Sequence, residues 1–177
     1  GVVEVKPRTG IRRLPYGFRG AVVSSVTYGI GTNPENFSAY ANLRRHIEAS
    51  YWYEAVSRLT TDDHTVLKGL VQRALEKLAL SPPVIPQNEH RELHLTIYKR
   101  LDNIFVMGLL EAFWKEYEAV GLDVMVELAY VTRVWEFHQR MVDAICAGDY
   151  EVGYQAMVEH MELLDKRPKN SSNQKFE

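Results

Sequence analysis

From Pro34 onward the apolar residues of this sequence recur at intervals of three and four, and glycine or proline breaks the pattern at intervals. A half-buried α-helix imposes that period, so the stretch reads as amphipathic helices that must cover one another. Asn33-Pro34 supplies a cap and a first-turn proline. Phe37, Tyr40, Leu43, Ile47, Tyr51, Ala55 and Leu59 then trace the first stripe. A second helix opens at Thr61-Asp62-Asp63, with acids where the helix dipole favours them. It carries Val66, Leu67, Leu70, Val71, Ala74, Leu75 and Leu78 and stops at Ser81-Pro82-Pro83. Pro86 opens a third helix that ends near Leu101-Asp102, and a fourth runs from about Asn103 to Val120 before Gly121. The fifth spans about Asp123 to Ala147, stopped by Gly148, and the sixth starts with Asp149 as cap and carries Val152, Tyr154, Ala156, Met157, Met161 and Leu164. Gly153 inside the sixth costs about 1 kcal/mol relative to alanine. The expected fold is all-α, an antiparallel bundle of about six helices.

The first residues differ. Val2-Val3-Glu4-Val5-Lys6 is a β-branched run, Pro7-Arg8-Thr9-Gly10 signals a turn, and Ile11-Arg12-Arg13 follows as a return strand. A hairpin alone is marginal, so this one is expected to belong to a unit lying upstream, and the chain to be a fragment. The expected division is a hairpin in residues 1–15, a linker in 16–33, a helical domain in 34–165 and a polar tail in 166–177. Within the linker, rich in glycine, Ala21-Val22-Val23 could still bury.

Composition narrows the function. With 177 residues and 46% of them hydrophobic, one sizeable core is within reach. A net charge of -2 argues against a whole-surface nucleic-acid binder. The sequence contains no run long enough to span a membrane and no signal-peptide layout at its start. The single cysteine, Cys146, sits in an apolar-periodic segment as a small core residue and fits a reducing, cytoplasmic setting.

Six histidines remain to be placed. His90 and His94 lie four positions apart in the third helix, so they leave one face about 6 Å apart along the axis. Such a pair is either half of a metal clamp or two surface histidines spaced by chance. His138 falls ten residues before Gly148 and His160 twelve after it. Two antiparallel helices joined there would set them at one height. If the third helix packs against that hairpin, four imidazoles converge, a donor set for Zn, Ni, Cu, Mn or Fe. The other reading makes His138 a satisfied core histidine beside Phe137 and His160 half exposed beside Glu159.

Several short patterns occur in order. Leu43-Arg44-Arg45-His46-Ile47-Glu48 stands in the first helix, and Leu93-His94 is followed nine positions after the histidine by Asn103. His138-Gln139-Arg140-Met141-Val142-Asp143-Ala144-Ile145-Cys146-Ala147-Gly148-Asp149 leads to Ala156-Met157-Val158-Glu159-His160-Met161. Together the stretch from about Ser38 to Asp165 resembles the FCD effector-binding domain of GntR-family transcriptional regulators. Gly1 to Gly10 is similar to the last strand and wing of the winged-helix DNA-binding domain that precedes it in such proteins. The wing resemblance implies DNA contacts from Lys6, Arg8 and Thr9.

The family resemblance also implies a divalent metal held by three histidines and an aspartate. His94, His138 and His160 fall on the histidine positions, whereas the aspartate position is His90. That residue is expected to be a fourth ligand, the alternative being a three-histidine site with His90 outside it. Glu89 and Arg91 point about 100° away and cannot simply replace the aspartate. The resemblance places Arg44 in the pocket, where a guanidinium forks onto a carboxylate; a surface pair with Glu48 is the plain alternative. Arg133 is a weaker second anion contact, and Asn103 is either a pocket residue or the cap of the fourth helix. Glu92, two positions past His90, faces away and makes a poor general base.

The expected function follows. The domain binds a metal, zinc first with Ni, Mn or Fe behind it, and senses a small organic acid such as a sugar acid, hydroxy acid or dicarboxylate. In a homodimer that signal would alter operator DNA binding. The chain is not expected to be an enzyme. A metal-dependent helical enzyme and a structural dimerisation module are the competing classes. Tyr51, Trp52 and Tyr53, taken as exposed, would suit a dimer interface.

Overall fold

The computed structural model describes residues 3–121 and 128–165. Two strands, β1 (Val3–Lys6) and β2 (Gly10–Arg13), form an antiparallel hairpin. Seven helices follow among the described residues: α1 (Phe18–Thr32), α2 (Asn36–Val56), α3 (Thr61–Leu78), α4 (Gln87–Tyr98), α5 (Ile104–Gly121), α6 (Leu128–Ala147) and α7 (Tyr150–Asp165). The all-α fold with an N-terminal hairpin is the expected one. The start of the helix expected at Asp123, and the tail 166–177, lie outside the described residues.

Local chemistry sets the ends that matter. Thr60 and Asp63 form a reciprocal capping box at the head of α3, with the Thr60 N–H donating to Asp63 Oδ2 at 2.9 Å. The same carboxylate takes Lys99 at 2.6 Å and Arg100 at 2.9 Å, tying α3 to the segment that follows α4. At the corner between α6 and α7, Gly148 adopts φ +77, a left-handed value that suits glycine. The Asp149 N–H then reaches back to the Ala144 carbonyl at 2.9 Å and the Gly148 N–H to Ile145 at 3.1 Å. Those two bonds make a Schellman stop. Asp149 Oδ1 accepts the Val152 N–H at 3.2 Å and so starts α7.

Most of residues 16–33, the expected linker, form α1, and Val22 within it is buried. Three glycines weaken its intrinsic helicity. Packing overrides that weakness: Phe18, Val22 and Val26 join Ala112, Phe113 and Trp114 of α5 in a second apolar cluster. Gly108 permits the approach, since a Cβ there would stand 2.7 Å from the Phe18 ring and 3.4 Å from the Arg19 backbone nitrogen.

α2 buries a wider face than its apolar spacing suggests: Tyr40 and Ala55 of the expected stripe are buried, Ile47, Tyr51 and Leu59 pack on the core, and a polar row joins them. Tyr40, Arg44, Glu48 and Trp52, each four residues apart, point inward, while Leu43 is 46% exposed. Trp52 is therefore not a surface aromatic. It is fully buried, and its indole N–H donates to the Tyr150 carbonyl at 2.9 Å. Tyr53 stays exposed, bonds the Glu151 carboxylate and stacks on Tyr154, with Tyr51 half-buried beside the core.

In the bundle α6 packs along α7 and α3, α4 lies against α2, α3 and α5, and α2 reaches α7. The main core gathers around Trp52, Leu93, Ile97, Trp135, Ile145 and Met157. Cys146 is half-buried against it. Among the described residues no helix is long and apolar enough to cross a membrane.

Candidate metal centre

α4 is short, and its inward face carries Leu93, His94 and Ile97, all shut from solvent. His90, one turn before His94, keeps part of its surface exposed, yet its Nε2 is sealed off. α6 contributes His138 and α7 contributes His160, whose ring centroids lie 4.3 Å apart, as expected of positions flanking the Gly148 corner. The His90 ring stands 4.7 Å from His138 and 5.1 Å from His94. One ligand nitrogen from each of the four falls within 4.8 Å of the others. The structure thus brings all four sequence-predicted histidines together.

Burial holds all four imidazoles well below the usual histidine range, with the neighbouring Arg44 guanidinium adding to the effect. That environment favours the neutral form, which keeps a lone pair on each ring. His94 Nε2 faces His138 Nε2 at 3.1 Å. Among the described residues, His90 Nε2, His138 Nδ1 and His160 Nδ1 are buried with no hydrogen-bond partner. Orphaned nitrogens of this kind cost free energy wherever nothing bonds them. Four converging imidazoles, three buried and His90 half-buried, fit a divalent transition metal.

Aromatic side chains wall the group. Trp114 of α5 lies 4.6 Å from the His90 ring and 5.0 Å from His94, and Trp135 of α6 lies 4.7 Å from His138. The Trp114 Nε1 is buried without a partner.

Arg44 reaches this wall from α2. Its guanidinium stands 4.7 Å from both the Phe113 and Trp114 rings, and Nη2 is 2.9 Å from His94 Nδ1. Its Nε donates to Glu48 Oε1 at 3.0 Å. The two form the ion pair that the plain alternative foresaw, but deep inside the protein and against the histidines. Glu48 Oε1 lies 3.3 Å from His94 Nδ1, and Oε2 is buried without a partner. Burial pushes the Glu48 carboxyl up, while Arg44 and His160 pull it back. Sequence reasoning gave Glu48 only as a surface partner of Arg44 and gave Trp114 no part in the site. The signal for Glu48 was present, because it closes the Leu43-to-Glu48 pattern and repeats the four-residue step from Arg44.

Other expectations resolve differently. Asn103 Oδ1 accepts the backbone N–H groups of Phe105 and Val106 at 3.1 and 3.2 Å, so it caps α5. Its Nδ2 is 3.4 Å from the Tyr51 hydroxyl. Arg133 is exposed, with its guanidinium 5.9 Å from the Phe137 ring, and is not brought to the imidazoles. Glu89 is buried against Lys77 at 2.7 Å, committed to α3. Glu92 is exposed beside Arg91. Lys6, Arg8 and Thr9 sit exposed at the hairpin turn, where Arg8 has φ 68 and the Thr9 N–H bonds Lys6 O at 3.2 Å.

Residues 40–163 match the sequence profile of the FCD domain. Among solved structures, Escherichia coli McbR/YncC resembles the chain with a TM-score of 0.61 at 18% identity, over 94% of this chain and 78% of that one. At that identity the likeness speaks for the fold. No curated protein matches the sequence significantly.

Proposed function

The chain belongs to the FCD domain family, and from that premise we propose that it is the metal-binding acid sensor of a GntR-type transcriptional regulator. The observation that carries this reading is the position of Arg44, buried against an imidazole cluster with Nη2 2.9 Å from His94. A fixed guanidinium next to a metal is a two-point receptor for a small carboxylate. His90, His94, His138 and His160 would hold the ion, zinc first with Ni, Mn or Fe as alternatives. Bound there, the ion supplies a Lewis-acidic anchor for an acid oxygen. Arg44 forks onto the carboxylate, and Trp114 and Phe113 shut water from the contact. A sugar acid, hydroxy acid or dicarboxylate fits that donor set.

Regulation follows from which elements share the site. A ligand joining Arg44 on α2 to histidines on α4, α6 and α7 favours one packing of α2 over another. α1 and the hairpin, with Lys6, Arg8 and Thr9, would carry that bias to operator DNA in a homodimer. We read the chain as a regulator because the FCD match points to an effector-binding role, and Glu92 is turned to solvent beside Arg91.

Metal analysis of tag-free protein, followed by calorimetric titration of the zinc-loaded form with a panel of small acids, tests the proposal. Metal near one per chain and acid binding that Arg44→Met abolishes are expected. Absence of metal uptake, or acid binding indifferent to Arg44, would sink it. Operator affinity of the full-length regulator, measured with and without the acid at fixed salt, tests the regulatory step.

A further inference from the structure

His94 Nδ1 has two polar neighbours, Arg44 Nη2 at 2.9 Å and Glu48 Oε1 at 3.3 Å. A neutral imidazole owns one N–H and one lone pair, so it can satisfy only one of them through Nδ1. With the lone pair on Nδ1, Arg44 donates to it and the proton sits on Nε2. With the proton on Nδ1, Glu48 accepts it and Nε2 carries the free lone pair. Only the second arrangement leaves a donor nitrogen facing His138 Nε2, 3.1 Å away.

Charge points the same way. Four neutral imidazoles bring no negative charge, and Arg44 brings a positive one into the same buried volume. A divalent cation added there would leave the group strongly positive, which a low-dielectric interior resists. Glu48 is fully buried and touches both Arg44 and His94. Its second oxygen, Oε2, is buried without a partner among the described residues, so the carboxylate has capacity to spare.

We propose that Glu48 is the outer partner of the metal centre, a positioning residue whose carboxylate takes the His94 Nδ1–H, turns Nε2 to the ion and offsets its charge. This rests on the metal reading above. Metal ligands commonly donate their second ring N–H to a carboxylate in this manner. A consequence concerns Arg44. Once Nδ1 is protonated and Nε2, itself 3.3 Å from Nη2, holds the ion, neither ring nitrogen accepts from Nη2, and that donor becomes available to a carboxylate ligand. Metal loading therefore prepares the anion contact, and the acid binds the loaded protein more tightly.

The test compares Zn(II) affinity, by competition with a chromophoric chelator, across wild type, Glu48→Gln and Glu48→Leu, with nitrogen NMR of the His94 ring. Leucine removes both charge and acceptor and is expected to lower Zn(II) affinity by roughly 10–100-fold. Glutamine keeps an acceptor and should fall between leucine and wild type. In loaded wild type the proton of His94 should sit on Nδ1. Because Glu48→Leu strands the Arg44 charge, Arg44→Met/Glu48→Leu against Arg44→Met gives the same comparison in a neutral background. Wild-type affinity in the leucine variants, or a proton on Nε2, would overturn the role of Glu48. A wild type that takes up no Zn(II) would overturn the metal reading with it.

Discussion

Trp52 of α2 lies across the bare backbone of Gly153 on α7, so close that a Cβ at 153 would come within 2.9 Å of the indole Cζ2. The glycine that looked like a plain loss of helicity is the seat of the largest buried side chain on α2. Gly153→Ala should destabilise the fold by about 1–3 kcal/mol from overpacking, less the ~1 kcal/mol that alanine contributes in a helix. Gly69 on α3 is the contrast, since its Cβ would meet only the end of the Arg73 side chain at 3.3 Å. Gly69→Ala should raise stability by up to about 1 kcal/mol. Denaturant midpoints of the two variants should move in opposite directions.

Removing one member of the Arg44–Glu48 pair leaves a buried charge with nothing to oppose it. Arg44→Met should cost about 3–5 kcal/mol of stability in the metal-free protein. Arg44→Met/Glu48→Leu should recover much of that loss. The coupling energy from the four proteins, read by urea unfolding, checks the pair directly. Additive losses would show that the two side chains do not depend on one another.

The FCD resemblance implies a carboxylate at the position that His90 occupies here, and the proposed centre makes this imidazole a ligand. His90→Asp should retain Zn(II) binding, and His90→Ala should weaken it. Excess Zn(II) at a hundred times its Kd should stabilise wild type by about 2.7 kcal/mol, with a smaller gain for the alanine variant. Equal Zn(II) affinity in wild type and His90→Ala would place this imidazole outside the coordination sphere.

Asp63 supplies an acid-sensitive tie. The Arg100 guanidinium beside it holds its carboxyl well below the usual carboxylate range, with Lys99 and Thr60 helping. A carboxyl depressed in the folded state contributes stability that is complete above its unfolded value, near pH 4. That contribution is lost as the pH falls below 4 towards the folded value. Asp63→Asn should lower stability at pH 7 and flatten its decline in acid. Unfolding midpoints measured from pH 7 down to pH 3 would show the two curves converging.

How much of this was legible in the chain depended on whether the signal was local. The start of α3 at Thr61 could be read because Thr60 and Asp63 write their own cap, and the α6–α7 corner because Gly148-Asp149 does the same. The convergence of His138 and His160 followed from counting residues on either side of that corner. α1 was missed because its helicity comes from Phe18, Val22 and Val26 meeting α5, a contact far along the chain. The polar part of the inner face of α2 escaped for another reason. Periodicity assumes that what is buried is apolar, and here an arginine and a glutamate occupy the inner row between Tyr40 and Trp52. Their burial makes sense only once the histidines of three other helices are placed beside them.

The bare backbone at Gly108 has a mechanical consequence. Phe18 and Arg19 settle onto α5 at that point, and less than two turns further along the same helix Trp114 stands over His90 and His94. One rod is thus gripped by the N-terminal helix near one end and by the imidazole cluster near its middle. A side chain at 108 would act as a shim between them. It would pry α1 from its bearing while leaving the four histidines in place, and so would uncouple the N-terminal helix from the imidazole cluster.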